Sequence, residues 1–302
     1  MNAQERVSLA DFSSEFHLSD DLETELSLAK NGEPRRLVAA FLSLGVVAGS
    51  AANSFSESPH RDFHFTNEGF FGRDTYAGGA DKAAHFADYA ILSKELGKFY
   101  GVLGYDRATS IALGFGVATA AGLVTELGDG TTFFGFSYED FLMDTLGAGT
   151  AAIIAATRTE DLIGFRRGIL APAVGPDLCC AVPGKGRDYS NEIQTVDLKL
   201  AGVGRRLGVE LGPLRWLLLS VTYGSKGYPS GVPDLRERQV GFEIGLNFQQ
   251  ILDDLRVTRG TWWGYALHVV FDNVRIPFTA VGYRYDLNHE RWRGPNNGNT
   301  PR

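Results

Sequence analysis

Val240-Gly241-Phe242-Glu243-Ile244-Gly245-Leu246-Asn247-Phe248 alternates an apolar side chain with a small or polar one at every step. Successive side chains of a strand point to opposite faces, so this stretch is a strand with one apolar and one polar face. The same period recurs on both sides of it. Val196, Leu198 and Leu200 bracket Asp197 and Lys199, and Leu207, Val209 and Leu211 bracket Gly208 and Glu210. Trp216–Tyr223, Tyr265–Phe271 and Ile276–Tyr285 read as further strands, and Gln249–Leu255 reads as a short helix joining two hairpins. Turn residues separate the runs, which predicts an antiparallel sheet over residues 161–290. Tyr and Trp near the strand ends suit an outer-membrane barrel, but about six strands fall short of the usual ~8. A sandwich or partial barrel is the expectation.

Upstream the period changes. A helix is expected from Asp81 to about Tyr100, and Ala108–Val124 is uncharged between Arg107 and Glu126. Ser137 is placed to cap a last helix from Tyr138 to Thr157, with Glu139 and Asp140 at its positive end. Gly114, Ala118 and Gly122 recur at four-residue spacing, as do Gly147, Ala151 and Ala155. Each set makes a smooth helix face that lets backbones approach closely, as in membrane helix pairs. The fold class is therefore α+β: a small helical, membrane-associated domain over 53–160, then the sheet. The tail, 291–302, is polar and expected to be disordered.

Residues 1–36 hold eight carboxylates against four basic residues and read as a disordered acidic leader. Arg35-Arg36 then precedes a 13-residue apolar run, Leu37–Gly49, with small residues to Ala52. Residues 37–52 have the layout of a secretory signal, although 36 residues stand in front. A membrane helix and a buried soluble helix are the other two readings. The first two put the remainder in the bacterial cell envelope, facing the periplasm or in the outer membrane, with membrane lipid as a partner. Phe63, Phe65, Phe70, Phe71 and Tyr76 crowd the loop that follows, as at a membrane interface or against the helices.

Composition narrows the classes further. The 302 residues carry a net charge of −7, so no basic surface invites nucleic acid. With 44% apolar and 22% charged residues, the chain is neither a many-helix transporter nor disordered throughout. Cys179 and Cys180 are adjacent, which excludes a disulfide framework and a cysteine-based zinc module.

The polar residues of the helical region are regularly spaced. Asp81, His85 and Tyr89 share one helix face, with Lys82 at its edge. Glu126 and Asp129 close the uncharged helix, and Asp140, Asp144 and Gly147 share a face of the last one. Charges at the ends of apolar helices are expensive unless they pair or bind something. Two readings follow. In one, Glu126, Asp140 and Asp144 hold a divalent metal, His85 acts as a base oriented by Asp81 or a facing carboxylate, and Lys82 neutralises a substrate phosphate. In the other, the same groups form a structural ion-pair lattice. His60, His64 and His268 are expected to be surface or packing residues.

Asp81-Lys82-Ala83-Ala84-His85-Phe86, Glu126-Leu127-Gly128-Asp129-Gly130, Phe136-Ser137-Tyr138-Glu139-Asp140 and Asp144-Thr145-Leu146-Gly147 together resemble the YfiM-like family. The resemblance covers about residues 60–160. Its members are predicted periplasmic or outer-membrane lipoproteins of uncharacterised function, which implies an envelope location and assigns no activity. The order Asp-Lys-x-x-His, Glu, Asp, Asp-x-x-Gly is also similar to the VanZ-like membrane family. No cysteine follows the 37–49 run, so lipid attachment there is not supported. The function expected is that of a structural or binding protein of the envelope. The alternatives are a metal-dependent hydrolase or transferase acting on a phosphorylated lipid or cell-wall precursor, and a small outer-membrane pore.

Overall fold

A computed structural model describes residues 33–56, 60–170, 188–256 and 262–294. Most of the acidic leader, the Cys179-Cys180 pair and the end of the tail lie outside the described residues.

The first half is helical. Helix α1 (Glu33–Phe55) is followed by the two-residue strand β1 (Phe65–Thr66) and helices α2 (Ala80–Val102) and α3 (Arg107–Asp129). Strand β2 (Phe136–Ser137), parallel to β1, leads directly into α4 (Tyr138–Thr157). Asp106 caps α3 by accepting from the Thr109 amide at 3.0 Å, and Ser137 caps α4 by accepting from the Asp140 amide at 3.2 Å. Small residues set the packing distance. A Cβ added at Gly114 would lie 2.6 Å from the Ser93 carbonyl of α2, and one at Gly147 would overlap the Phe86 carbonyl. Ala118, Ala121 and Ala148 are buried between these helices against Tyr89, while Ala151 and Ile154 pack with Ala90 and Phe165.

Helix α1 is docked onto α3 and α2. Ala39 is buried with Leu96, Tyr100 and Leu103, and the Ser43 hydroxyl meets the Tyr100 hydroxyl at 2.7 Å. Arg35 donates to the Gly104 carbonyl at 2.9 Å and lies over the Tyr105 ring. Its outer side, with Leu37, Phe41 and Leu44, is exposed. Arg35–Phe55 and Arg107–Asp129 are both long and apolar enough to cross a membrane by length and composition.

The second half begins with β3 (Ile163–Ile169), β4 (Glu192–Lys199), α5 (Leu200–Leu207), β5 (Leu217–Lys226) and β6 (Glu237–Leu246). Helices α6 (Phe248–Leu255) and α7 (Trp262–Asn273) follow, then β7 (Val274–Arg275), β8 (Ala280–Asp286) and β9 (Arg291–Arg293). These strands form one open seven-stranded sheet in the order β7-β3-β4-β5-β6-β8-β9. Neighbours are antiparallel except β3 and β7, so the sheet is mixed rather than wholly antiparallel. Two runs read as strands belong elsewhere. Tyr265–Phe271 lies in α7, and Leu207–Leu211 straddles the end of α5, where the left-handed Gly208 stops the helix. A short apolar run has no period that separates a strand from a buried helix. Arg291–Arg293, expected to be disordered, pairs with β8.

The sheet is curled. β7 and β6 are four strand spacings apart, which in a flat sheet is about 19 Å. Yet Arg275 on β7 forks onto Glu243 on β6, Nε to Oε1 at 2.7 Å and Nη2 to Oε2 at 2.9 Å. The polar sides of the strands line the concave face, where Arg166 also meets Asp197. The apolar sides form rows on the convex face. Val196, Val221, Phe242 and Tyr283 stand side by side across four strands, as do Leu198, Leu219, Ile244 and Val281. The helices join the sheet at its β3–β4 side, where Phe86 packs edge-on against Phe165. Lys94 and Lys98 of α2 and Lys199 of β4 converge there on Asp272 of α7.

Candidate functional site

The site starts with a tight entry into α2. Ala77, Gly78 and Gly79 all have positive φ, a conformation that costs a glycine little, and the chain turns there into the helix. The Gly78 carbonyl is held by the Tyr223 hydroxyl at 2.5 Å, which ties the turn to β5. Asp81 and Lys82 therefore sit in the first helical turn, where the positive end of the helix favours the carboxylate. His85 follows one turn later.

Three helices bring their polar ends together around these residues. Lys82 Nζ lies 2.9 Å from Asp81 Oδ2 and 2.6 Å from Asp140 Oδ1, and it also bonds Glu68. His85 Nδ1 contacts Asp144 Oδ1 at 2.8 Å, while its Nε2 lies 3.8 Å from both Asp81 Oδ1 and Asp140 Oδ1. Glu126, at the end of α3, accepts from the Ser137 amide at 3.0 Å through Oε2. Among the described residues its Oε1 and the Asp144 Oδ2 have no hydrogen-bond partner, although Glu126 is 1% and Asp144 0% exposed. One ligand atom each from His85, Glu126 and Asp144 lie within 4.8 Å of one another, as do those from Asp81, His85 and Asp140. Gly122 makes room for this, since a Cβ there would lie 2.7 Å from Asp144 Oδ2.

The cluster has two unequal halves. In one, Lys82 supplies an internal cation to Asp81, Asp140 and Glu68. Burial pushes the Asp81 carboxyl up, but Lys82 and His85 outweigh it and hold it well below the usual range. Burial likewise opposes the charge on Lys82, which its three carboxylates nevertheless stabilise above the ordinary ammonium range. Glu68 goes the other way, raised by burial and by Asp81 to about 8. In the other half, burial raises Glu126 to about 9 and Asp144 to about 6, so Glu126 keeps its proton at neutral pH for want of a cation beside it. The imidazole is held well above its usual range, its burial overcome by Asp140, Asp144 and Asp81.

A cavity of about 770 Å³ opens beside the cluster. Glu68, Asp81, Asp88, Glu95, Glu126, Asp129 and Asp140 line it, against His85 and Arg167 as cations. Arg167 is already engaged by Asp88 and Glu192. Lys82 is 0% exposed and is not on the wall. Tyr89, stacked with the His85 ring, meets the Thr125 hydroxyl at 3.1 Å.

The structure thus brings together Asp81, Lys82, His85, Tyr89, Glu126, Asp140 and Asp144. Two participants were not read from the sequence. Glu68 comes from the loop before α2, and Tyr189, which donates to Asp81, comes from the approach to β4. Neither has a spacing that ties it to the helices, so only long-range folding reveals them. His64 rests its Nδ1 3.1 Å from the Asp62 carbonyl, and His60 is exposed. His268 lies on α7 rather than on a strand, with Nε2 2.7 Å from Asp253.

Residues 67–156 match a family model described as predicted periplasmic lipoprotein (DUF2279). The matched stretch takes in every residue of the cluster except Tyr189 and ends before the sheet. The match gives the chain a cell-envelope location and an uncharacterised role, and it carries neither the YfiM-like nor the VanZ-like name. No curated protein and no solved structure matches the chain.

Proposed function

We propose that the chain is an envelope-associated binding protein whose helical bundle holds a divalent cation between Glu126, Asp144 and His85. The observation that carries this reading is the pair of buried, unpartnered carboxylate oxygens, Glu126 Oε1 and Asp144 Oδ2, beside one imidazole. A buried acceptor without a partner costs about 1–3 kcal/mol, and a cation supplies the missing partner to both at once. The Lys82 half needs no ion because the ammonium already serves it. A donor set of two carboxylates and one imidazole suits manganese or zinc, with magnesium where water completes the shell. In this reading the helices stand beside the membrane and the 37–52 segment attaches the chain to it, with lipid as its partner.

Calorimetric titration of the full chain with manganese tests the reading. A stoichiometric site is expected in the wild type, weakened at least ~10-fold in Glu126→Gln and Asp144→Asn, because losing a ligand costs no less than losing a group that merely orients one. Binding should release protons and tighten with rising pH, because Glu126 and His85 must lose theirs. Equal or absent binding in all three proteins would overturn it.

A second reading is favoured by the cavity: a metal-dependent hydrolase or transferase acting on a phosphorylated lipid or cell-wall precursor. The wall is too acidic to take a bare phosphate, so the cation would have to bind first. In this reading Glu126, Asp140 and Asp144 hold the cation, His85 is left off it as the base, and Lys82 acts by holding Asp81 rather than by touching phosphate. Manganese-dependent phosphate release from a lipid phosphate, lost in His85→Ala, is the expected result. Release that persists in that variant would sink the role of His85. The pore reading needs a closed barrel, and the strand order is open.

A further inference from the structure

A sheet in water buries its apolar side and wets its polar one. This sheet does the reverse across four adjacent strands. Val221 is 60%, Phe242 54% and Ile244 52% exposed, whereas Glu243 between the last two is 3% exposed. The pattern is not local to one hairpin, because the register sets apolar side chains beside one another from β4 to β8. The concave side is filled instead by forked ion pairs such as Arg275 with Glu243.

We propose that the convex face of the curled sheet is seated in the hydrocarbon of a lipid bilayer, with β4, β5 and β6 at acyl-chain depth and β8 at the margin. Apolar outside and polar inside is the arrangement that lipid selects and water does not. On β6 the outward apolar positions run from Val240 to Leu246, about 20 Å at the rise of a strand, close to the ~25 Å apolar band of outer-membrane sheets. Hydrocarbon also requires that backbone polar groups be paired, and the central strands have a ladder on both sides. At the edges, among the described residues, β7 pairs only Arg167 and Gly168 of β3, which lies against α2 and α7, and β9 pairs only Arg284, Tyr285 and Asp286 of β8, so the outer edge of β8 from Ala280 to Tyr283 is the margin of the sheet. Rings gather at the β8–β9 margin, where Trp292 packs on Tyr285 and Phe242, as aromatic side chains do at a membrane interface.

Lipid fits better than a second copy of the chain. Helix α1 packs on α3 away from the sheet and exposes Leu37, Phe41 and Leu44 as well. A two-fold contact between copies covers one self-complementary patch. A bilayer needs no complementary partner surface on either face. This inference is independent of the cation site, since none of these side chains belongs to it.

The test uses the full chain carrying Cys179→Ser and Cys180→Ser, with one new cysteine at a time: Val221→Cys, Phe242→Cys or Val281→Cys, and Ser230→Cys as an exposed-loop control. Each protein is labelled with a polarity-sensitive fluorophore and mixed with phosphatidylethanolamine–phosphatidylglycerol vesicles, with or without brominated acyl chains. Quenching by the brominated chains at the three convex positions and none at Ser230→Cys is expected. A second measurement compares vesicle partition of the wild type with that of Phe242→Lys/Ile244→Lys, whose fold is checked by circular dichroism. A loss on the order of 100-fold is expected for charges at acyl depth. Unquenched convex labels, unchanged partition, or protection of the labels through self-association without lipid would each overturn the proposal.

Discussion

In the curled sheet, the Asp197 carboxylate spends both oxygens: Oδ1 accepts from Ser220 at 2.6 Å and Thr195 at 2.9 Å, and the Arg166 guanidinium holds both. In the helical bundle, Glu126 and Asp144 are as deeply buried, but each leaves one oxygen without a donor. The difference lies in what faces the acid. The sheet sets a planar five-donor guanidinium opposite each carboxylate, whereas the bundle provides one lysine and one histidine for five acids, with a cavity alongside. Burial alone therefore does not mark a functional group. A buried acid with its partners supplied is architecture, and one without them is open to a ligand.

That contrast can be broken most directly by removing one acid from each side. Asp197→Ala strands a buried guanidinium and should cost about 3–5 kcal/mol in chemical denaturation. Glu126→Gln keeps the shape of a carboxyl that burial already holds protonated at neutral pH, so stability in the absence of divalent ions should be unchanged or raised. Comparable losses in the two variants would erase the distinction.

A smaller effect is expected where the bundle depends on close helix approach. Gly147→Val meets the Phe86 carbonyl and should cost about 1–3 kcal/mol, visible as a lower thermal midpoint. Gly116→Ala, with nothing within 4 Å of the added carbon, should gain about 0.5–1 kcal/mol through helix propensity. If both substitutions behave alike, the glycine faces do not set the packing distance.

The smallest effect is on pH dependence, and it sharpens the comparison. Asp144, Glu68 and Glu126 have folded values raised to about 6, 8 and 9, so the folded bundle binds more protons than the unfolded chain. Their stabilisation is full at low pH and is lost as pH rises through those values, the raised His85 acting in the same direction. Asp81 opposes this only in acid, where its depressed carboxyl is finally protonated. The thermal midpoint of metal-free protein should therefore fall from about pH 4.5, where the unfolded carboxyls titrate, to about pH 9, with a shallower slope in Glu126→Gln. A flat profile in the wild type would argue that the acids are partnered after all.

Much of the helical half was legible because its signals are local. Ser137 before Glu139-Asp140 marks the start of α4, and the four-residue spacing from Asp81 to His85 to Tyr89 fixes a shared face whatever the helix packs against. The stripes at the ends of α3 and α4 could be named for the same reason, but their facing partners could not. Glu68 and Tyr189 enter across long stretches of chain. In the second half, alternation gave strands but not the side that faces water, because a period of two is the same for a sheet turned either way. It also misplaced Tyr265–Phe271, whose apolar run suits a helix packed on β3 equally well.

The amino-acid order alone settled the α+β class, three helices with charged ends and an apolar segment before them, since backbone periodicity and capping act over a few residues. Which way the sheet turns, that Lys82 satisfies one half of the acidic cluster and leaves the other short, and that Arg275 reaches Glu243 were decided only by the tertiary structure. Those outcomes depend on curvature and on distances between residues remote in the chain, and no local pattern encodes them.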